Sequence, residues 1–290
     1  MSTPRLVVDG PDGPAPTGTE PQDLLDTAQA GGAAIRGGAL RIAGFGVGVA
    51  ASVVSSALLL RHLGVVATGD YVTVLSLVTL AGGVTDVGLA TIGVRELSTL
   101  PPAEARLFLR SLAGLRLVFI AFGVAFAVAF AAVSGYSATM VLGTLVAGCG
   151  FVLLTTQLTY SLPLLAQLRL EWVTAIETLK TVGTAVAIVV LVLFGAPLLA
   201  FWATTIPAGI AATALAALLI ARSMPLLPAF DRSVWGPLVR RTLPYSMAAA
   251  VGVVYFRVAI LVMSHVSSGL QTGYFAASFR IVEVLFVVPS

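Results

Sequence analysis

Apolar runs of about 20 residues recur along almost the whole chain, and they constrain its fold more than any other feature. At a rise of about 1.5 Å per residue, a helix of this length crosses a hydrocarbon core of about 30 Å. Only 10% of the residues are charged and 58% are hydrophobic, whereas a soluble domain carries about 25% charged residues. A protein core cannot absorb that much apolar surface, so the sequence predicts that lipid solvates these helices.

The runs predict an all-α fold, a polytopic membrane helix bundle with about eight transmembrane helices. Transmembrane β-strands would be alternating segments of about 10 residues. These runs are longer and do not alternate. Helices therefore remain as the structure that satisfies the backbone hydrogen-bonding groups in lipid. Pro207 removes a backbone donor and predicts a bend in the sixth span. The predicted spans are 38–60, 71–94, 112–133, 138–162, 172–194, 198–221, 242–264 and 272–290.

Two turns of related sequence indicate an internal repeat. Residues 58–71 read LLLRHLGVVATGDY, and residues 261–274 read LVMSHVSSGLQTGY. In both, a His is followed by small residues and by a Thr shortly before a Tyr. The His and the Tyr of the second turn follow those of the first by the same number of positions. We infer one unit of six spans and the first two spans of a second, parallel copy.

This repeat predicts four regions along the chain. Residues 1–34, rich at first in Pro, Gly and Asp, are predicted to be a disordered cytoplasmic tail, with a short membrane-surface helix near its end as an alternative. Residues 35–221 form a six-helix lobe, and residues 222–241 form a proline-rich cytoplasmic linker. Residues 242–290 hold the first two helices of an incomplete second lobe. Because the last run stops without a polar flank, we expect a fragment of a longer protein or a truncated gene product.

The arginines predict the orientation in the membrane. With the N-terminus in the cytoplasm, the outer turns hold only Arg61 and every other connection is basic, which is the positive-inside pattern. The net charge of +3 then reflects the placement of these loops and not binding to nucleic acid. The predicted cytoplasmic arginines are Arg36, Arg41, Arg95, Arg106, Arg110, Arg169, Arg222, Arg232, Arg240 and Arg241.

Asp86 is the deepest lone carboxylate of the predicted spans. An ionisable side chain at the centre of a bilayer costs about 2.5–3.5 kcal/mol on insertion scales, so each one needs a reason. One interpretation is that Asp86 lines a cavity and binds a coupling cation or a proton. The other is that Asp86 pairs with an arginine or caps a broken helix.

Three arginines within spans are candidate ligand contacts. Arg257 and Arg280 are expected at a similar depth on antiparallel neighbours, in the outer half of the membrane. Two guanidinium groups at one level suit a phosphate-bearing ligand, because Arg binds phosphate through a bidentate fork. Alternatively, Arg257 extends to the interface and Arg280 pairs with Glu283. Arg116, near the inner end of the third span, either extends to the interface or meets a headgroup.

The remaining polar residues predict no catalytic chemistry. Glu177 and Lys180 are an i, i+3 pair and are interpreted as structural. His62 and His265 lie at outer turns, as polar loop residues or as pH sensors. Ser, His and acid do not cluster as in a hydrolase, and no Cys/His set is suited to zinc. We therefore predict no enzyme activity, no metal and no cofactor.

A glycine cluster in the first span does not predict a nucleotide site. Gly44 and Gly48 lie in an apolar run with no strand before it, so they are interpreted as a G-x-x-x-G motif that lets two helices approach closely. There is also no P-loop pattern. Nucleotides and nucleic acids are therefore not expected as partners.

Two segments resemble bacterial polysaccharide flippases of the multidrug/oligosaccharidyl-lipid/polysaccharide exporter superfamily, which include O-antigen flippases. In residues 44–96, LLLRHLGVVATGDY and VTDVGLATIGVREL match a typical Leu-Gly, a Gly-Tyr-like turn, an Asp-x-Gly and an Arg-Glu. In residues 243–289, LPYSMAAAVGVVYFRVAIL and TGYFAASFRIVEVLFVVP match the seventh and eighth spans. Tyr255 and Arg257 fit the family's Tyr-x-Arg-x-Asp pattern, but Ala259 stands where the acid is usual, so ion coupling by that acid is not expected.

The resemblance implies two six-helix lobes around a central cavity in the cell (cytoplasmic) membrane. It implies that an undecaprenyl-diphosphate-linked oligosaccharide is moved from the inner to the outer leaflet. The expected partners are this lipid-linked oligosaccharide and membrane lipids. On this view Arg257, Arg280 and Arg116 hold phosphate, and Asp86 helps to bind a coupling ion.

Three alternative functions remain open from the sequence. A cation-coupled exporter of small cationic drugs, from the same superfamily, would need carboxylates in its cavity, where this chain offers mainly arginines. A membrane-embedded glycosyltransferase acting on polyprenyl phosphate would need an acidic cluster in an exposed loop, which the longer loops lack. A fragment without its second lobe would be inactive by itself.

Overall fold

The structure is a computed structural model that describes residues 28–86, 88–230 and 232–287. The chain divides into two compact units, Met1–Ala39 and Leu40–Ser290, and all contacts discussed below lie in the second unit. Within the described residues every regular element is an α-helix. The helices are α1 (Ala28–Asp86), α2 (Leu89–Thr99), α3 (Pro102–Val133), α4 (Ala138–Ala166), α5 (Leu170–Leu193), α6 (Leu198–Trp202), α7 (Thr205–Ile220), α8 (Arg232–Val266) and α9 (Gly269–Val287).

The all-α class predicted from the apolar runs is confirmed, and several helices have the character of membrane spans. By length and hydropathy, five stretches of the described chain are able to cross a membrane. A shorter apolar stretch, Ala250–Val266, lies in α8. The five stretches are Gly44–Gly83, Pro102–Val133, Ala138–Ala166, Leu170–Leu193 and Leu198–Ile220.

The first stretch is 40 residues long because it contains two helical arms joined at Gly64. Gly64 has φ 71° and ψ 179°, a conformation that residues with a Cβ rarely adopt. The first arm, residues 44–63, begins beside α5 and ends where His62 Nε2 lies 3.1 Å from the Ala196 carbonyl oxygen, just after α5. The first arm therefore runs parallel to α5.

The second arm, residues 65–86, follows α4. Just before its midpoint, Val74 shares a hydrophobic cluster with Met140, in the first turn of α4. Further on, the backbone at Gly82 faces the ring of Phe151 near the middle of α4. Since α4 and α5 are consecutive antiparallel helices, the two arms of α1 run in opposite directions, as predicted for the first two spans.

Helices α3, α4 and α5 end in the same way. Each is followed by a residue with positive φ, namely Gly135 (75°), Leu168 (56°) and Gly195 (64°). The next amide then donates back into the last turn, which satisfies carbonyl groups that the helix leaves open. These bonds are Tyr136 N to Ala131 O (3.2 Å), Arg169 N to Leu164 O (2.9 Å) and Ala196 N to Leu191 O (3.0 Å).

The bend predicted from Pro207 is an interruption of the helix. α6 ends at Trp202 and α7 begins at Thr205, so the break comes just before the proline. Proline has no amide hydrogen to donate to the preceding turn, and its ring crowds the carbonyl there. The position of this break was therefore readable from the sequence.

The main hydrophobic core joins α2, α3, α4 and α7, with Ile176 from α5 and Leu238 from α8. Small residues allow these helices to approach closely. A Cβ on Gly143 would lie 2.3 Å from the indole of Trp202, and one on Gly148 would lie 2.4 Å from Val124. The fully buried large side chains in this cluster are Leu89, Leu109, Leu112, Leu115, Leu162, Leu164, Ile176 and Ile220.

The segment between α7 and α8 is fastened to the start of α3. The amide of Ala229 donates to the Arg110 carbonyl oxygen (2.9 Å). The guanidinium of Arg106 donates to the Ser223 carbonyl oxygen (2.9 Å). Within the predicted linker, 222–241, helix α8 begins at Arg232. Pro237 is the sixth residue of α8, so it removes one amide donor from the second turn of this helix.

Turns therefore collect at two ends of the bundle. The Gly135 end carries the turns at Gly64, Gly135 and Gly195, and the turn between α8 and α9. The Arg169 end carries the turn at Arg169 and the segment 221–230. The long helices therefore end alternately at one end of the bundle and at the other.

Candidate functional site

A helix break occupies the middle of the second predicted span. α1 ends at Asp86, and α2 begins at Leu89 after Gly88, which has φ 88°. The Ile92 amide donates to the Gly88 carbonyl oxygen (3.1 Å) as the new helix starts. Residue 87 and the side chain of Asp86 lie outside the described residues. Non-helical backbone at membrane depth occurs where it packs against protein or lines a cavity, so this break is a candidate functional feature.

Helix α8 crosses the second arm of α1 close to this break. A Cβ built on Gly83 would lie 2.8 Å from Val253 Cγ1 of α8, so the two helices touch there. Two turns further along α8, Leu261 packs in one cluster with Leu77 of the second arm. Arg257 lies midway between these two contacts, four positions from each, and therefore on the same face.

The face of α8 that carries the partly buried Arg257 therefore packs against the second arm. Asp86 ends the same arm one turn after Gly83. The structure thus brings the helices of two predicted site residues into contact. Arg280 belongs to α9, but its side chain and that of Glu283 lie outside the described residues. The pairing proposed for them stays a prediction.

The second arm presents small and polar residues to α8 and α9. Gly69, Thr73, Ser76 and Gly83 follow each other at intervals that keep them on one face of a helix. Thr73 and Ser76 are only 1% and 0% exposed, and their hydroxyl oxygens have no hydrogen-bond partner in the described part of the chain. The contact between the first six predicted spans and α8–α9 therefore contains buried polar groups.

Arg116 is buried in α3, with 1% of its surface exposed. The residues around it in sequence, Leu112 and Leu115, belong to the main hydrophobic core. In this conformation the side chain is closed to a ligand. A role for Arg116 in holding phosphate therefore requires that neighbouring side chains move.

The predicted pair of Glu177 and Lys180 is an ion pair in the structure, and it has a further partner, Gln157, that the sequence did not predict. Lys180 Nζ contacts Glu177 Oε2 directly. Gln157 of α4 donates from Nε2 to Glu177 Oε1 (3.3 Å) and to Ser161 Oγ (3.0 Å). The available signal was the i, i+4 spacing of Gln157 and Ser161 in a helix without charged residues.

A second polar cluster lies at the Gly135 end. Tyr136 Oη is 2.7 Å from Ser264 Oγ and 3.3 Å from Nδ1 of His265. Burial raises the pKa of the Tyr136 phenol, and the hydrogen bond with Ser264 partly offsets this rise. The ring of Phe130 meets His265 edge-on. This cluster ties the end of α8 to the turn between α3 and α4.

The two predicted outer histidines therefore play similar parts. His265 binds the turn after α3, and His62 contacts the turn after α5 and the ring of Phe201. An apolar cleft of about 580 Å³ opens beside His265. Its lining consists of Leu80, Phe130, Ser134, Val258, Leu261, Val262, His265 and Val266.

Within the part of the chain that the structure describes, no three His, Cys, Asp or Glu residues group as metal ligands. Comparison of the chain with protein-family models, with curated proteins and with solved structures finds no match. The resemblance to polysaccharide flippases consequently rests on the sequence motifs alone.

Proposed function

We propose that this protein is a transporter that flips a polyprenyl-diphosphate-linked oligosaccharide across the cytoplasmic membrane for the assembly of cell-surface polysaccharide. The main support for this proposal is the helix break at Asp86–Gly88. This break lies next to the site where α8 packs against α1, and Arg257 is on that face of α8. Interrupted membrane helices commonly border substrate and ion sites. A guanidinium at such a place suits a diphosphate, which it binds through a bidentate fork.

The proposed topology has eight spans, with the N-terminus in the cytoplasm. The two arms of α1, the second continued by α2, supply the first two spans, and α3, α4 and α5 supply one each. α6 with α7 supplies the sixth, and α8 and α9 begin the second lobe. This count is supported by the reversal at Gly64 and by the alternation of turns between the two ends.

The proposed mechanism is alternating access between the first lobe and α8–α9. The headgroup enters between the lobes while the lipid tail stays in the bilayer. Arg257 and Arg280 hold phosphate, and Arg116 joins them once its neighbours move aside. Asp86 helps to bind a coupling ion, and the membrane potential supplies about 2.3 kcal/mol per charge per 100 mV.

The first test is Arg257→Ala in the full chain, reconstituted in liposomes with the lipid-linked oligosaccharide in the inner leaflet. Losing a hydrogen bond to a charged group costs about 1.5–3 kcal/mol. We therefore expect the initial rate at which sugar becomes accessible outside to fall about ten- to a hundredfold.

Arg61→Ala is the matched control, because Arg61 is exposed at the Gly135 end and is not one of the proposed phosphate ligands. It should flip at the wild-type rate. Wild-type flipping by Arg257→Ala would contradict the assignment of Arg257. A wild-type chain that flips no lipid-linked oligosaccharide under the same conditions would contradict the proposed function itself.

A further inference from the structure

The ion pair of α5 forms a built polar site inside the first lobe. Glu177 Oε1 accepts a hydrogen bond from Gln157 Nε2 (3.3 Å), and Glu177 Oε2 contacts Lys180 Nζ. Ser161 Oγ accepts from Gln157 Nε2 (3.0 Å) and donates to the Gln157 carbonyl oxygen (3.0 Å). Gln157 is fully buried, whereas the side chains of Lys180 and Glu177 are 22% and 40% exposed. The site is therefore closed on the α4 side and open beside the ion pair.

The helix segments that pack against this pair carry few other charges. α4, α6 and α7 contain no charged residue, and the first arm of α1 has none before Arg61 at its far end. Arg41 lies one turn before the start of that arm, and Glu171 begins α5. Glu177 and Lys180 therefore neutralise each other, and the site as a whole has no net charge.

Two features indicate that the pair is able to exchange partners. An ammonium group has three N–H donors, and within the described residues Lys180 has one hydrogen-bond acceptor, Glu177. The Oε1 atom of Gln157 is buried and has no hydrogen-bond donor in the described part of the chain. Its amide therefore has an unused acceptor. If the Gln157 amide rotated by 180°, this oxygen would face Glu177. A protonated Glu177 carboxyl would then be able to donate a hydrogen bond to it.

We propose that this site binds a monoanionic ligand oxygen, such as that of a phosphodiester, together with one proton. The anion replaces Glu177 at Lys180, and the Glu177 carboxylate takes up one proton, which the buffer releases into solution, and becomes a neutral carboxyl. One positive and one negative charge are present before and after, so the site stays neutral among apolar helices. Without the proton, two negative charges would share one ammonium group.

The site thus couples anion binding to proton uptake, independently of Arg257. Since the anion and the proton bind together, each raises the affinity of the site for the other by the same factor. With one proton taken up per anion, the affinity for the anion falls about tenfold for each rise of one pH unit.

The test uses the full chain in lipid nanodiscs and dimethyl phosphate, a monoanion that does not titrate near neutral pH. Calorimetry in two buffers with different ionisation enthalpies counts the protons taken up per bound anion. We expect about one proton for the wild type. Glu177→Gln should bind the anion with no proton uptake and with little pH dependence, because its neutral amide replaces the protonated carboxyl.

Lys180→Met should lose the binding, whereas Lys180→Arg should keep both binding and proton uptake. Glu171→Gln is the matched control on the same helix and should behave as the wild type. The proposal is overturned if the wild type does not bind dimethyl phosphate or binds it without proton uptake. It is also overturned if Glu177→Gln takes up a proton, or if Lys180→Met binds as tightly as the wild type. Flipping is not measured, so this outcome and that of the Arg257 experiment are independent.

Discussion

At the scale of single residues, Leu168 stands out because it carries a positive φ of 56° that glycine takes at the corresponding turns. A left-handed conformation costs a residue with a Cβ about 1–2 kcal/mol. The side chain is 78% exposed, so it gains little from packing in return. Gly135 and Gly195 avoid this cost at the other two helix ends.

We therefore predict that Leu168→Gly stabilises the protein. Relief of the backbone strain outweighs the additional entropy of the unfolded chain, which costs about 0.4–1 kcal/mol, and leaves a net gain of about 0.5–1 kcal/mol. The thermal unfolding midpoint of the purified chain in detergent should rise. Gly135→Ala introduces the same backbone strain at the other end of the bundle and should lower the unfolding midpoint. A lower midpoint for Leu168→Gly together with a higher one for Gly135→Ala would refute this account.

At the scale of helices, glycines decide where the second arm of α1 meets α9. A Cβ on Gly273 would lie 2.1 Å from the carbonyl oxygen of Val65, a backbone atom that cannot turn aside. On the other side of this contact, a Cβ on Gly69 would lie 3.0 Å from the amide nitrogen of Gly273. Gly44 and Gly48 of the predicted G-x-x-x-G motif both face threonines of α5. A Cβ on Gly44 would lie 3.1 Å from Thr174 and Thr178, which is a tight contact, whereas one on Gly48 would lie 3.6 Å from Thr181, an ordinary contact.

We predict that Gly273→Ala loosens the contact between α1 and α9 and destabilises the protein by about 1–3 kcal/mol, as overpacking of a tight contact does. Protease resistance and the unfolding midpoint in mild detergent should both fall. Gly269→Ala, one turn earlier on α9, is the control, because its Cβ would meet Val66 at 3.4 Å, an ordinary contact. Equal effects of both substitutions would show that the close approach at Gly273 does not matter.

At the scale of the whole molecule, the bundle has two distinct ends. Leu227, 74% exposed, marks the Arg169 end, and Phe194, 83% exposed, marks the Gly135 end. The excess of arginines near the Arg169 end predicts that this end faces the cytoplasm. The only cysteine, Cys149, is exposed and would have to be replaced by serine before labelling.

In intact cells, a membrane-impermeant thiol reagent should therefore label Phe194→Cys and leave Leu227→Cys unlabelled until the membrane is opened. Reversed labelling would overturn the orientation but keep the bundle. Labelling of both positions from the same side would overturn the alternation of turns, and with it the proposed eight spans.

The sequence by itself determined the fold class, the apolar character of the helices and several local features. Hydropathy reflects the free energy of transferring each segment from water to lipid. This free energy depends on the residues of that segment alone. The same holds for the break before Pro207 and for the ion pair of Glu177 and Lys180, because one residue or one helical turn contains the cause.

Only the tertiary structure decided which distant residues meet. It packed the face of α8 that carries Arg257 against the second arm near the break at Asp86, buried Arg116 in the core and brought Gln157 to the ion pair. It also fastened the segment after α7 to α3 through Ala229. These contacts depend on the fit of side chains between helices far apart in the chain, and neither composition nor spacing within one helix contains that information.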